Sequence, residues 1–199
     1  MPLILYNGPT SPFGRMARVV ALELAITVDE RVIDVYTAEF LDAVNPLRQI
    51  PTLVTEEGRP IYDSRVICRY FDALSGKARL IPSARQWEIE TRWALAIGVM
   101  EAGLQRRMEI LRPEGEKSRS MISKLEIRID RGIAQLELEA DAFCSDGVRM
   151  DSIAIAVALE YTDFRYTTGW RGRRPKLNAW LEGFAHRPSM TQTRPQDPK

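Results

Sequence analysis

The spacing of apolar positions changes character once along this chain. In the first third it comes in short runs. Leu3 to Tyr6 is one, closed by the turn signal Asn7-Gly8-Pro9, and it predicts a strand. From Pro12 the spacing becomes helical, with Phe13, Met16, Val19, Val20 and Leu24 in sequence. Val28 to Val35 predicts a second strand, with Val32, Ile33 and Val35 as its apolar part. Phe40 to Val44 predicts a helical turn before Asn45-Pro46. Thr52 to Thr55 and Pro60 to Tyr62 flank Glu56-Glu57-Gly58-Arg59 and read as an antiparallel hairpin. A helix follows from Ser64 to Leu74, with Val66, Ile67, Tyr70, Phe71 and Leu74 on one face. The order βαβ–ββα implies a parallel pair joined by a crossover helix, with an antiparallel hairpin added at the edge.

After that point no strand pattern of useful length appears. Trp93, Ile97, Met100, Leu104, Met108 and Leu111 mark one long helix, stopped at Arg112-Pro113. Met121, Leu125, Ile129, Gly132, Leu136, Ala140 and Phe143 mark a second. Ile153 to Leu159 is apolar on all sides, which predicts a buried central helix. Pro175 to Phe184 predicts a further helix, with Leu177, Trp180, Leu181 and Phe184 inward. Pro188 to Lys199 is polar and proline-rich and is expected to be irregular. The fold class is therefore α/β plus all-α. The α/β domain spans residues 1–77, a linker spans 78–83, and the helical domain spans 84–199.

Composition narrows the function classes. The net charge is +1, which gives no bulk pull toward nucleic acid or a membrane surface. Arg171, Arg173 and Arg174 lie in a loop without interleaved aromatics, so no nucleic-acid partner is expected. No apolar run is long enough to span a membrane, and the N-terminus lacks the basic region of a signal peptide. The 2 cysteines, Cys68 and Cys144, are far apart, which suits a reducing cytoplasm and excludes a thiolate zinc site. The single histidine, His186, leaves no histidine triad, and no metal is expected.

The segment from Asn45 to Ser64 carries the candidate chemistry. Pro51 lacks a donor N–H and suits a position just before a strand. A cis Ile50–Pro51 bond there costs only about 0.5–1 kcal/mol over trans. It would aim the N–H and C=O of Ile50 outward, at an extended peptide lying alongside. Asp63-Ser64 opens a helix, where free N–H groups and the helix dipole favour a carboxylate. Pairing edge and anion seat together suit a small peptide with a free α-carboxylate. Ser11-Pro12-Phe13-Gly14 lies between the first strand and the first helix, with Ser11 as cap and Pro12 at the first helical position. That is an ordinary structural cap. It is also a place where a hydroxyl and a helix N-terminus would stabilise a thiolate, lowering a thiol pKa from about 8.5. A drop of about 1.5 units amounts to roughly 2 kcal/mol. Tyr6, at the end of the first strand, is the rival donor, or else a packed aromatic. Asp63-Ser64 by itself is an ordinary cap, and Cys68 reads as a buried inert thiol.

Taken together, Ser11-Pro12-Phe13-Gly14-Arg15, Asn45-Pro46-Leu47, Ile50-Pro51-Thr52-Leu53 and Asp63-Ser64, followed by a helical half, resemble the cytosolic glutathione S-transferases. The likeness runs over nearly the whole chain and is nearest to bacterial members of the YibF-like kind. Met100-Glu101-Ala102-Gly103-Leu104, Arg112-Pro113, Tyr161-Thr162-Asp163-Phe164-Arg165, Gly169-Trp170 and Arg174-Pro175 support it. The resemblance implies a thioredoxin-like N-terminal domain, an all-α C-terminal domain and a cytoplasmic homodimer. It implies glutathione as co-substrate, with Ser11 at its sulfur and Phe13 nearby. Ile50 would pair with the cysteinyl backbone beside cis-Pro51. Asp63 and Ser64, with Gln49, would hold the γ-glutamyl end. A small hydrophobic electrophile would lie between the domains, against Tyr6, Phe13, Met100, Gly103 and Arg107.

Two departures from the family pattern stand out. The buried helix usually opens with Ser or Thr and an Asp three residues on; here those positions are Arg149 and Ser152, so the usual capping box is expected to be absent, with Asp151 as the substitute cap. Glutaredoxin-like relatives carry Cys where Ser11 and Gly14 sit, so no dithiol can form here. The expected activity is glutathione conjugation. The competing readings are a non-catalytic binding or interaction protein of the same fold, and a glutathione-dependent disulfide reductase or peroxidase.

Overall fold

The computed structural model describes residues 2–76, 80–166 and 169–196. Their contacts divide the chain into two compact units, residues 1–80 with 188–199, and residues 81–187.

In the first unit four strands form one mixed sheet in the order β2-β1-β3-β4. They are β1 (Ile4–Asn7), β2 (Asp29–Val32), β3 (Thr52–Val54) and β4 (Pro60–Ile61). β1 pairs in parallel with β2 and antiparallel with β3, which pairs antiparallel with β4. Helices α1 (Pro12–Glu23) and α2 (Ser64–Ser75) follow β1 and β4. This is the βαβ–ββα order expected from the apolar runs. Alternation along β1 sends Leu5 and Asn7 to the buried face, where Met16, Val19 and Val20 of α1 and Ile67 and Phe71 of α2 complete the core. β2 is shorter than expected and ends at Val32, which is 61% exposed, because an edge strand has a neighbour on one side only. The predicted turn after it is a short 3-10 helix, Glu39–Ala43.

The C-terminal segment is not irregular as expected. Pro188–Gln192 forms a short helix and docks on α1. Its Met190 is fully buried and its carbonyl accepts a 3.2 Å hydrogen bond from Arg15, while Arg15 Nε meets Thr193 Oγ1 at 3.3 Å. Ser189 hydrogen-bonds Glu23. The polar residues there are anchors for a buried arginine, which a hydropathy pattern cannot distinguish from solvated ones.

Continuing in chain order, the second unit holds α3 (Gln86–Ile110), α4 (Arg119–Leu138), α5 (Ala140–Phe143), α6 (Met150–Arg165), α7 (Trp170–Arg173) and α8 (Pro175–Phe184), and the docked C-terminal helix is then α9. The second predicted long helix thus breaks at Glu139 into α4 and α5. Ile153 to Leu159 is fully buried, so α6 is the central helix, packed on α3. The expected apolar stripe of α3 splits. Trp93, Ile97 and Met100 are buried, whereas Leu104, Met108 and Leu111 are 37%, 47% and 58% exposed.

A charged pair that the sequence pattern did not reveal lies between α3 and α6. Arg92 is 3% exposed, Asp151 is 1% exposed, and Nε meets Oδ2 at 2.7 Å. Glu88 adds a second partner at 2.9 Å. Asp151 also accepts from the Ser152 N–H at 2.9 Å, and Ser152 Oγ in turn accepts from the Arg149 N–H at 2.8 Å. Arg149 holds the cap position, Asp151 serves one donor from inside the first turn, and the half of the capping box that was expected to be absent is present through Ser152. Removing one member of a buried pair strands the other charge. Asp151→Ala is expected to lower unfolding free energy by about 3–5 kcal/mol. Asp130→Ala, at an exposed pair with Arg173 and Arg174, is expected to cost about 1 kcal/mol or less. Urea titrations of both variants check the contrast; equal losses would contradict it.

Candidate active site

Three chain segments meet at one end of the sheet, and strand register shows why. Tyr6 lies opposite Thr52, and Leu53 opposite Ile61. The C-terminal ends of β1 and β4 therefore flank the N-terminal end of β3. The loop leading to α1, the loop ending at Pro51 and the start of α2 all leave from there.

The loop ahead of β3 is built around Asn45, which is 1% exposed. Its Nδ2 donates to the Gln49 carbonyl at 3.0 Å and to Thr52 Oγ1 at 2.9 Å, and its Oδ1 accepts from the Leu47 N–H at 3.0 Å. Thr52 Oγ1 donates to the same Gln49 carbonyl at 2.8 Å. The Gln49 side chain is exposed. The Ile50–Pro51 bond is cis, as expected, and so is Tyr62–Asp63. Neither the N–H nor the C=O of Ile50 meets a hydrogen-bond partner among the described residues, so both are available for an extended peptide. Gly8 lets this loop approach, since a Cβ there would lie 2.7 Å from Ile50 Cδ1.

Ser11 caps α1, its Oγ accepting from the Gly14 N–H at 3.1 Å. That uses an acceptor lone pair and leaves the hydroxyl proton to donate elsewhere. The Arg15 N–H bonds the Ser11 carbonyl and Pro12 has no N–H, so Phe13 carries the remaining donor of the first turn. The Phe13 ring is half-buried. Gly14 could hold no side chain: a Cβ would sit 1.5 Å from Asn7 Oδ1, with the Asn7 amide tied to Glu30 at 3.0 Å. At α2, Asp63 is the cap and accepts from the Arg65 N–H at 2.9 Å, while Ser64 at the first position is 4% exposed. The N–H groups of that first turn face the loop side, where a carboxylate would complement them.

Other candidates are placed differently. Tyr6 stands on the β1 face opposite Leu5 and Asn7, its ring 5.1 Å from that of Phe40. Met100 is fully buried in the helical unit. Gly103 packs against Tyr161, with 3.2 Å left to a Cβ, and Arg107 lies one turn further along α3. Neither cysteine is activated. Cys68 is fully buried, which pushes its thiol well above the ordinary range, and burial pushes Cys144 up to about 11. Among the described residues no group of His, Cys, Asp and Glu could hold a metal ion, and no helix is long and apolar enough to cross a membrane. Asn45 and Gly8 were missed as site-building residues. The Asn-Pro and Gly-Pro turn signals mark them in the sequence without saying what they hold.

The site is thus the loop end of a small mixed sheet, a free backbone edge between two helix N-termini, in a chain that continues into a helical unit. The family model of the glutathione S-transferase N-terminal domain matches residues 10–74. An uncharacterized GST-like protein of Escherichia coli K12, YibF, is 34% identical across 96% of this chain and 98% of its own length. The chain belongs to the glutathione S-transferase family. A glutathione transferase family member of Pseudomonas fluorescens Pf-5, solved with glutathione bound, is 34% identical and superposes over 98% of this chain and 99% of its own with a TM-score of 0.94. A glutathione S-transferase of Methylobacillus flagellatus KT, also solved with glutathione, is 31% identical over 98% and 100% of the two chains, with a TM-score of 0.92.

Asn45→Ala removes three hydrogen bonds of one buried side chain and is expected to cost about 2–3 kcal/mol. It should also weaken retention on immobilised glutathione, because the loop that presents Ile50 is no longer held. A variant with unchanged urea midpoint and unchanged retention would remove Asn45 from this role.

Proposed function

We propose that the protein is a cytoplasmic glutathione S-transferase that binds glutathione at the loop end of the sheet, stabilises its thiolate and transfers it to a small hydrophobic electrophile. The observation that carries this reading is the convergence of Ser11, Ile50 and Ser64 at that one end, each with a hydrogen-bonding group left for a ligand. Glutathione in the Pseudomonas and Methylobacillus relatives supports it. A second Pseudomonas fluorescens structure, 33% identical with a TM-score of 0.88 and solved with S-(propanoic acid)-glutathione, supports a site that also accommodates a sulfur substituent.

In this reading the Ile50 N–H and C=O pair with the cysteinyl backbone of glutathione beside Pro51. Asp63 and Ser64 engage the γ-glutamyl end, the former its ammonium and the latter its carboxylate, and Gln49 lies close by. The sulfur meets the Ser11 hydroxyl and the start of α1, next to Phe13. The thiol proton passes to solvent, and the sulfur forms a bond to an electrophilic carbon as the leaving group departs with its electron pair. Catalysis is then positioning plus electrostatic stabilisation, with no protein base required. The elevated thiols of Cys68 and Cys144 favour glutathione over the protein as the source of thiolate. Two copies of the chain form the working homodimer, which light scattering would check.

Conjugation of a generic aryl halide by the purified protein tests the activity. Ser11→Ala should raise the pKa of bound thiol by about one unit, equivalent to roughly 1.4 kcal/mol. The rate at neutral pH then falls roughly tenfold, and the deficit closes as pH rises past the variant's thiol pKa, because both enzymes become fully thiolate. A Ser11→Ala enzyme with the wild-type pH profile, beside a crippled Tyr6→Phe enzyme, would transfer the role to Tyr6.

A further inference from the structure

The C-terminal helix α9 is fastened to α1 at both ends of that helix. At the far end, Ser189 Oγ donates to the Glu23 carboxylate. Toward the near end, the Arg15 guanidinium donates from Nη2 to the Met190 carbonyl at 3.2 Å and from Nε to Thr193 Oγ1 at 3.3 Å. Thr193 Oγ1 is itself oriented, because its proton goes to the Ser189 carbonyl at 2.7 Å. Arg15, Ser189, Met190 and Thr193 are all buried. By their contacts, residues 188–199 belong to the same compact unit as α1. Arg15 and Glu23 stand about 12 Å apart along the axis, so the paired fastenings hold the helix against both sliding and rolling.

Arg15 lies near the start of α1, where the helix dipole disfavours a cation and burial adds a desolvation cost. What it connects is the C-terminal segment and Ser11. Ser11 lies one turn earlier on the same side of the helix. The Arg15 N–H donates to the Ser11 carbonyl at 2.9 Å, and the Gly14 N–H donates to Ser11 Oγ at 3.1 Å, so Ser11 moves with that turn. On a neighbouring side the turn rests against Asn7 through Gly14. The buried Asn7 Oδ1 accepts no hydrogen bond there among the described residues, so this contact stops the helix without orienting it. The leverage is large: at a side-chain radius of about 5–6 Å, a roll of roughly 10° displaces a hydroxyl by about 1 Å. A misplacement of that size can lower a rate by about a hundredfold.

We propose that Arg15 and Thr193 are positioning residues of the glutathione site: through them α9 sets the roll of α1 and holds the Ser11 hydroxyl at the glutathione sulfur. The inference rests on the transferase reading above and adds the C-terminal segment to its machinery. α9 itself touches no ligand; its effect passes through the first turn of α1. Positive charge alone is not the device, because the link needs a planar fork that reaches two acceptors, which a lysine does not reproduce.

The test is the thiol pKa of glutathione bound to the full chain, read from thiolate absorbance, with urea midpoints measured alongside. Thr193→Val removes the hydroxyl at nearly constant shape and should raise that pKa by about half a unit, roughly a threefold loss of rate at neutral pH. Thr193→Ser should recover the greater part of the loss. Arg15→Lys should resemble Thr193→Val, since the charge stays and the fork goes. Affinity for S-methylglutathione, which has no thiol to titrate, should change by less than about twofold, because Ile50 and Ser64 lie on other segments. Added to Ser11→Ala, Thr193→Val should shift the pKa no further, since its route runs through that hydroxyl. Ile67→Val, which loosens the same core and leaves the fastenings intact, should lower the urea midpoint without moving the pKa. Ser189→Ala, the milder change, releases only the fastening at Glu23 and should raise the pKa too, which covers a Thr193→Val chain that does not fold. A wild-type pKa in the folded variant, an Arg15→Lys enzyme indistinguishable from wild type, an undiminished shift in the Ser11→Ala background, or the same shift in Ile67→Val would each overturn the inference while leaving glutathione binding intact. Failure of glutathione to bind, or a wild-type bound thiol that titrates at about 8.5, would overturn the transferase reading and this inference together.

Discussion

The antiparallel register of β1 against β3, with Tyr6 opposite Thr52, is the constraint on which the candidate site depends. Antiparallel pairing puts the end of one strand beside the start of the other. The loop that closes β1 and the loop that opens β3 are thereby brought to the same edge, and β4 repeats the operation on the far side. The register is secured by burial: Leu5 and Leu53 are fully buried, and a slip of one residue would turn both toward solvent. Two helix N-termini and a free peptide edge then face the same space as a consequence of strand pairing.

The details at that edge are hydrogen-bond bookkeeping within a few residues. Asn45 and Thr52 consume the carbonyl of Gln49, which leaves the neighbouring Ile50 groups as the unused pair. Ser11 spends a lone pair on its own helix and keeps its proton. Gly8 and Gly14 are required by space: one admits the Ile50 side chain and the other the Asn7 carboxamide. The helical unit is organised by different means, a fully apolar α6 and the buried Arg92–Asp151 pair that joins it to α3.

The sequence pattern disclosed the elements whose burial follows a simple period. The βαβ–ββα order, the hairpin and the all-apolar α6 follow from positions such as Leu5, Leu53 and Ile155, which are buried on every side. The cap residues Ser11 and Asp63 were legible because capping needs a particular residue type at a particular offset. Other features were not, because polar residues perform them. Arg15 and Thr193 hold α9 in place, Arg92 and Asp151 sit in a core, and Asn45 braces a loop; in a one-dimensional pattern each resembles a surface residue. The stripe on α3 misled in the opposite sense. Leu104, Met108 and Leu111 continue the helical period of buried Trp93, Ile97 and Met100, yet they are left uncovered.

The central claim is that the loop end of the sheet holds glutathione with its sulfur as a stabilised thiolate. The most direct measurement is the pKa of the glutathione thiol in the complex, followed through the ultraviolet absorbance of the thiolate as pH is varied. The account predicts a value at least about one unit below the ordinary thiol range near 8.5. A thiol that binds and titrates at its free-solution value would contradict it.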